Sequence, residues 1–264
     1  MKESCCNTSS NSSGVSEIDQ TKAVEARYGA AANNKEACLC TPVAFNQNLL
    51  KALPLDVVEK DYGCGDPTKW VKAGDNVLDL GSGSGKNAFI CSQIVGKSGV
   101  VIGIDRNLEM LKLAKEAAHV VAKRIGFSNV SFFEGSIESL DAPQVNNSPL
   151  IANSLIDVVL SNCVLNLVNP SNRQALLSNI KRVLKPGGRV AISDIVSNHP
   201  IPLSMQKDPE LWSGCISGAW QEDEFLEDFQ SLGFKDVSYP DRTQEPWRVI
   251  EGIEFRAVTL TGHL

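Results

Sequence analysis

No apolar run in this 264-residue chain approaches the roughly 20 residues that cross a bilayer, and residues 1–14 are polar, without the apolar stretch of a signal peptide. A membrane partner is excluded on that pattern, and a cytoplasmic location is expected. There is no basic excess either: 25 Lys and Arg stand against 31 Asp and Glu, for a formal net charge of -6. A nucleic-acid binder needs a positive face to neutralise phosphates, so the expected partner is a small molecule. Histidine is scarce. His119, His199 and His263 are the three in the chain, none stands in an acid–base motif, and all are read as structural or surface residues. No internal repeat points to a solenoid.

What is present is an ordinary globular balance, 42% hydrophobic and 21% charged, at a length suited to one core with decorations. Residues 1–15, mostly Ser, Asn and Cys, bury too little to offset the entropy of ordering and read as a disordered tail. Residues 16–70 read as a helical cap, with Ile18, Val24, Tyr28, Leu49, Leu50 and Leu53 at helix-like intervals around an Asn- and Cys-containing break at 33–42. From 71 to 196 short aliphatic runs alternate with helical stretches. Strands are predicted at 76–80, 100–104, 129–133, 156–161 and 188–194, and helices at 108–125 and 173–184, the latter closed by Lys185-Pro186-Gly187-Gly188. Residues 197–264 break the rhythm with a Pro-, Ser- and Gly-rich loop, an amphipathic helix at 222–232 and two or three strands, completing the same domain. The predicted fold class is α/β: a doubly wound, mostly parallel, Rossmann-like sheet with an N-terminal helical cap and C-terminal strands.

The segment VLDLGSGSG, residues 77–85, is a buried strand running into a glycine-rich turn and a helix, the arrangement that brings backbone N–H groups to a ligand. The next strand ends at Asp105, an acid placed to accept hydrogen bonds from both hydroxyls of a ribose. Dinucleotide sites use G-x-G-x-x-G; Gly81, Gly83 and Gly85 follow G-x-G-x-G behind Asp79. That spacing resembles motif I of the class I S-adenosylmethionine methyltransferases, in which Asp79 would hold the cationic amino group of the cofactor's methionine. FEGSIESL, SNCVLNLV and RVLKPGGRV follow in the order of that superfamily. By the same resemblance Ile137 and Glu138 flank the adenine, and Asn162 lies by the cofactor at the end of the fourth strand.

The acceptor is a question for the cysteines. Of eight, Cys64 lies in a glycine-flanked loop, Cys163 directly after the fourth strand and Cys215 in a second glycine-flanked loop, positions that packing alone explains poorly. They are too far apart for a C-x-x-C zinc ribbon, yet three loops can converge over a cofactor. YGCG at 62–65, LDLGSGSG at 78–85, SNCVLNLV at 161–168 and LW-x-x-C at 211–215 together resemble the arsenite S-adenosylmethionine methyltransferases, over roughly residues 28–239. The resemblance implies that Cys64, Cys163 and Cys215 bind As(III), that Cys38 or, less well, Cys40 is a fourth functional cysteine, and that Tyr62 reaches the cofactor. It also implies turnover through an enzyme disulfide, with Cys38 exchanging with Cys64, reduced by a thiol reductant of the thioredoxin or glutathione class. The chemistry suits these residues: arsenic in its trivalent state is soft and prefers thiolates, and its lone pair carries no proton, so no general base is needed. Cys91 reads as core, and Cys5 and Cys6 lie in the tail.

Two other readings compete. One is a methyltransferase of a quinone- or sterol-like acceptor with incidental cysteines; the other is a non-catalytic thiol-based metalloid sensor. The complete set Asp79, Gly81, Gly83, Gly85 and Asp105 weighs against a sensor, which has no use for a cofactor site.

Overall fold

The structure, a computed structural model, describes residues 22, 24, 26–30, 43–60, 62–144 and 147–264. Among them nine strands form one sheet: β1 (Asn76–Leu80), β2 (Val100–Asp105), β3 (Val130–Glu134), β4 (Ile156–Asn162), β5 (Leu184–Ser197), β6 (Trp220–Gln221), β7 (Lys235–Arg242), β8 (Arg248–Ile250) and β9 (Ile253–His263). The order is β3-β2-β1-β4-β5-β9-β7, with β6 on β5 and β8 on β9. The first five strands pair in parallel, while β9 runs antiparallel to β5 and to β7. The doubly wound sheet is therefore mostly parallel, and the C-terminal strands add an antiparallel extension to it.

Each central strand is apolar on both faces, as a sheet covered on both sides requires. Val77, Val101, Val158 and Leu160 pack with Phe89, Ile90 and Cys91 of α1 (Lys86–Val95) and with Leu111, Ala114 and Val121 of α2 (Leu108–Ile125). Their alternate neighbours Leu78, Leu80, Ile104, Val159, Val190 and Ile192 pack with Leu176 and Ile180 of α3 (Arg173–Val183) and Phe225 and Phe229 of α4 (Glu222–Ser231). The period of two along each strand thus sorts side chains between two cores.

Helix α2 shows why these boundaries fall where they do. Asn107 caps it by accepting the N–H groups of Glu109 and Met110 at 3.1 Å, Lys123 and Arg124 occupy the last turn, and Gly126 ends it in the left-handed conformation at φ 84°. One predicted boundary moves. β5 begins at Leu184, not Gly188, because Leu184 pairs with Ile156 before residues 185–188 bulge out and the ladder resumes at Val158 and Arg189.

The chain reverses direction across the sheet between β1 and β4: β2 and β3 lie on one side of β1, β4 and β5 on the other. In an open parallel sheet that switch point, at the carboxyl ends of the strands, is where loops part and a ligand fits.

Candidate active site

A cleft opens at this switch point. Its wall includes the turn after β1 (Gly81, Ser82, Gly83, Ser84), Asp105 at the end of β2, Ile137 and Glu138 after β3, and Asn162 and Cys163 at the end of β4. Val24 and Tyr28, from a helical stretch that includes residues 26–30, also line it. Of the nine residues expected to serve the cofactor, Tyr62, Gly81, Gly83, Asp105, Ile137, Glu138 and Asn162 line the cleft. Asp79 and Gly85 do not. Asp79, on β1 just before the turn, is 1% exposed and stands behind the wall. Gly85 caps α1 at φ 89°, and a Cβ there would fall 2.7 Å from the Phe132 ring, so packing as well as conformation favours glycine there.

The cleft suits a nucleoside-bearing, cationic ligand on several grounds. Gly81 and Gly83 adopt φ of 69° and 52°, and nothing lies within 4 Å of where a Gly83 Cβ would stand, so the backbone there faces open space. Among the described residues the buried Ser82 hydroxyl and Asn87 side-chain carbonyl have no hydrogen-bond partner, a state that a ligand would relieve. Asp105 accepts the N–H groups of Gly83 and Asn107, both at 2.8 Å, one on each carboxylate oxygen. Burial holds its acidity below the ordinary level, while those backbone donors pull the other way. Glu138 is engaged by Arg106 at 3.5 Å and by the Ser136 hydroxyl.

The three separated cysteines meet beside this cleft. Cys64 and Cys163 form a disulfide across 99 residues of sequence, with Cα atoms 6.0 Å apart. The Cys215 thiol donates to the Cys163 carbonyl at 3.2 Å, and the Tyr28 hydroxyl stands 3.8 Å from the same sulfur. All three cysteines are 5–6% exposed, within an apolar cluster that includes Ile195, Ile216 and Phe255. Packing therefore accounts for Cys64 and Cys215 more than their glycine-flanked sequences suggest. Only Cys163 also lines the cleft, so it joins the two regions. Asn162 reinforces that junction: its carbonyl accepts the N–H groups of Cys64 and Gly65 at 2.9 and 3.2 Å, and its amide donates to the Gly65 carbonyl at 2.8 Å.

Two features of this cluster carry strain or charge. Cys163 and Cys215 both adopt left-handed backbone, φ 58° and 61°, a conformation costing a non-glycine residue roughly 1–2 kcal/mol and held only where the surroundings enforce it. Asp194, on β5, brings a carboxylate oxygen within 4.8 Å of both the Cys64 and Cys163 sulfurs. Burial raises its carboxyl to about 7, against the pull of backbone N–H groups and Arg173. Burial and the nearby Asp194 charge push the Cys215 thiol well up, so a closed, dry site holds it protonated.

Cys38 and Cys40, with Cys5 and Cys6, lie outside the described residues. The disulfide in the structure joins Cys64 to Cys163; the exchange expected between Cys38 and Cys64 involves a residue that is not described. Cys91 is buried in the α1 core, and all three histidines are exposed and away from the cleft. Sequence reasoning passed over Tyr28, Asn166 and Asp194. Asp194 left a trace, an acid inside the mostly apolar run VAISDIV at the carboxyl half of a buried strand.

A family model described as a methyltransferase domain matches residues 71–233. With the strand order and the glycine turn above, this makes the chain a member of the class I S-adenosylmethionine-dependent methyltransferases. The relatives narrow that class. Arsenite methyltransferases of Halobacterium salinarum and Homo sapiens are 39% and 33% identical to it over 184 and 225 residues, covering 69% and 81% of this chain and 43% and 57% of theirs. An arsenic(III) S-adenosylmethionine methyltransferase from Chlamydomonas reinhardtii shares the fold at a TM-score of 0.73 and 31% identity, over 84% of this chain and 74% of that one. The chain belongs to the arsenite methyltransferase family, and it spans about half the length of the curated relatives it matches. Among the described residues no helix is long and apolar enough to cross a membrane.

Proposed function

We propose that this protein methylates arsenite, transferring a methyl group from S-adenosylmethionine to As(III) held by the thiolates of Cys64, Cys163 and Cys215. The observation that carries the reading is Cys163, which lines the cofactor cleft, bonds Cys64 and receives the Cys215 thiol on its carbonyl. An acceptor bound there sits against the cofactor without further machinery. A quinone- or sterol-like acceptor would give these thiols no task.

Asp105 offers its remaining lone pairs to the ribose, Ser82 and Asn87 offer unsatisfied polar atoms, and Ile137 supplies an apolar wall for the base. Asp79 places negative charge behind the wall for the methionine amino group. S-adenosylmethionine, when bound, would supply its sulfonium methyl carbon to the lone pair of thiolate-held arsenic and leave as S-adenosylhomocysteine; the arsenic is thereby formally oxidised by two electrons, which a pair of site thiols returns on closing to a disulfide. Each thiol that joins As(OH)3 gives its proton to a departing hydroxyl, which leaves as water, so a thiol need not ionise first. The residues then contribute by position, worth roughly 7–11 kcal/mol when reacting groups are held in near-attack geometry.

The Cys64–Cys163 disulfide is a closed form of this site, because two of the three donors are bonded to each other. A thiol reductant, of the thioredoxin or glutathione class, supplies the two electrons that open it. Cys38 or Cys40 is the candidate fourth cysteine of that exchange, and a reducing cytoplasm fits the requirement. The test is to incubate the purified chain with S-adenosylmethionine, a thiol reductant and arsenite, and to look for methylated arsenic by mass spectrometry. Product that requires the reductant is expected; folded, cofactor-loaded protein that yields none sinks the reading.

A further inference from the structure

The third thiol is held in a conformation its own backbone disfavours. Cys215 lies at φ 61°, and with no Cβ-free residue to absorb that geometry something must keep its peptide from rotating back. The Asn166 side chain reaches it. This residue is 1% exposed, and its amide nitrogen donates to the Cys215 carbonyl at 3.2 Å and to the Ile195 carbonyl of β5 at 2.7 Å. Its backbone N–H donates to the Asp194 carboxylate at 3.3 Å. Two of these three bonds fasten Asn166 to the sheet, and the other fastens the Cys215 peptide to Asn166. The loop also packs closely on this residue: a Cβ on Gly218 would fall 1.9 Å from the Asn166 main-chain carbonyl oxygen.

We propose that Asn166 is the positioning residue for the third arsenic ligand, holding the Cys215 peptide against β5 so that its thiol faces Cys163. The inference rests on the reading of Cys64, Cys163 and Cys215 as the ligand set. Asn166 touches neither the cofactor nor arsenic; it acts through Cys215. A residue of merely structural importance would weaken every property of the protein together, whereas Asn166 acts on ligation by three thiols and spares ligation by two.

Two arsenicals separate these cases. Arsenite has three exchangeable positions, while phenylarsine oxide keeps its As–C bond and takes two thiolates. In the reduced full chain, Asn166→Ala is expected to weaken arsenite about tenfold or more, to leave phenylarsine oxide and S-adenosylmethionine within about twofold, and to recover part of the arsenite affinity as Asn166→Gln. In a Cys215→Ser background, Asn166→Ala should weaken arsenite no further, because the ligand it positions is already gone. Equal losses for both arsenicals, or a further loss in that background, overturn the proposal. If Cys215→Ser itself leaves arsenite affinity unchanged, the ligand reading fails, and this inference with it. If Cys215→Ser weakens arsenite and Asn166→Ala does not, only the inference fails. Should Asn166→Ala not fold, Asn166→Ser keeps one short donor and is judged by the same ratio of the two affinities.

Discussion

The cofactor cleft and the thiol cluster share one residue, Cys163, and are otherwise built in opposite ways. The cleft's main parts follow one another along three consecutive strands, Gly81 to Gly83, then Asp105, then Ile137 and Glu138, each at the carboxyl end that the sheet presents. The cluster draws Cys64 and Cys163 from positions 99 residues apart and Cys215 from a third segment, and holds two of its members in left-handed backbone. A site made of consecutive strand ends inherits its geometry from the sheet. One made of distant loops depends on particular side chains, here Asn162 and Asn166, to hold it together.

If that difference is real, the two regions must fail separately, and the largest effect should come from the shared ligand set. Cys163→Ser is expected to lower methyl transfer to arsenite by at least about 1,000-fold, through lost positioning, while cofactor affinity in equilibrium dialysis changes by less than about threefold. A parallel loss of cofactor binding would mean that the two regions are one. Asp79→Asn is the converse. It should weaken S-adenosylmethionine by about 10- to 100-fold, the range for a charge-assisted interaction, and leave arsenite titration of the reduced protein unaltered. Unchanged cofactor affinity would show that a carboxylate behind the wall is too far removed to act.

A pH effect separates the regions in stability. The Asp194 carboxyl titrates near 7 in the folded protein against an ordinary value of about 3.9, so folding binds a proton there. The associated stability is fully present below about pH 4 and is lost as pH rises through about 7, by on the order of 4 kcal/mol. Denaturant unfolding of the wild type should therefore decline with pH over that window relative to Asp194→Asn; parallel curves would remove Asp194 as a buried acid. The smallest expected effect belongs to Tyr28→Phe. Its contact with the Cys215 sulfur is long, and arsenite affinity should fall by no more than about twofold.

Much of this could be read along the chain. The strand starts at Asn76, Val100 and Ile156, and both ends of α2 at Leu108 and Ile125, coincide with the periodicity and capping that predict them. The glycine turn and Asp105 were legible because ligand and strand share one short stretch of backbone. The β5 bulge was not, because Lys185-Pro186-Gly187-Gly188 reads as a helix stop and nothing local shows that Leu184 already pairs with Ile156. Asp194 and Asn166 escaped for a related reason. Each is a polar residue in a mostly apolar stretch, and the contacts that give it a place in the cluster reach residues tens of positions away.

The sequence by itself determined the alternation of strand and helix, and the spacing Asp79, Gly81, Gly83, Gly85, Asp105 that distinguishes this cofactor turn from a dinucleotide site. Those are local properties, set by periodicity of side chains and by the conformations that glycine allows. Only the tertiary structure decided that Asp79 and Gly85 stand behind the cleft and not in its wall, that Cys64 bonds Cys163, and that Cys215 is turned toward them from a left-handed peptide tied to β5. Contacts between residues 50 to 100 positions apart depend on how the sheet is wound and how its loops close, and no stretch of the chain specifies either alone.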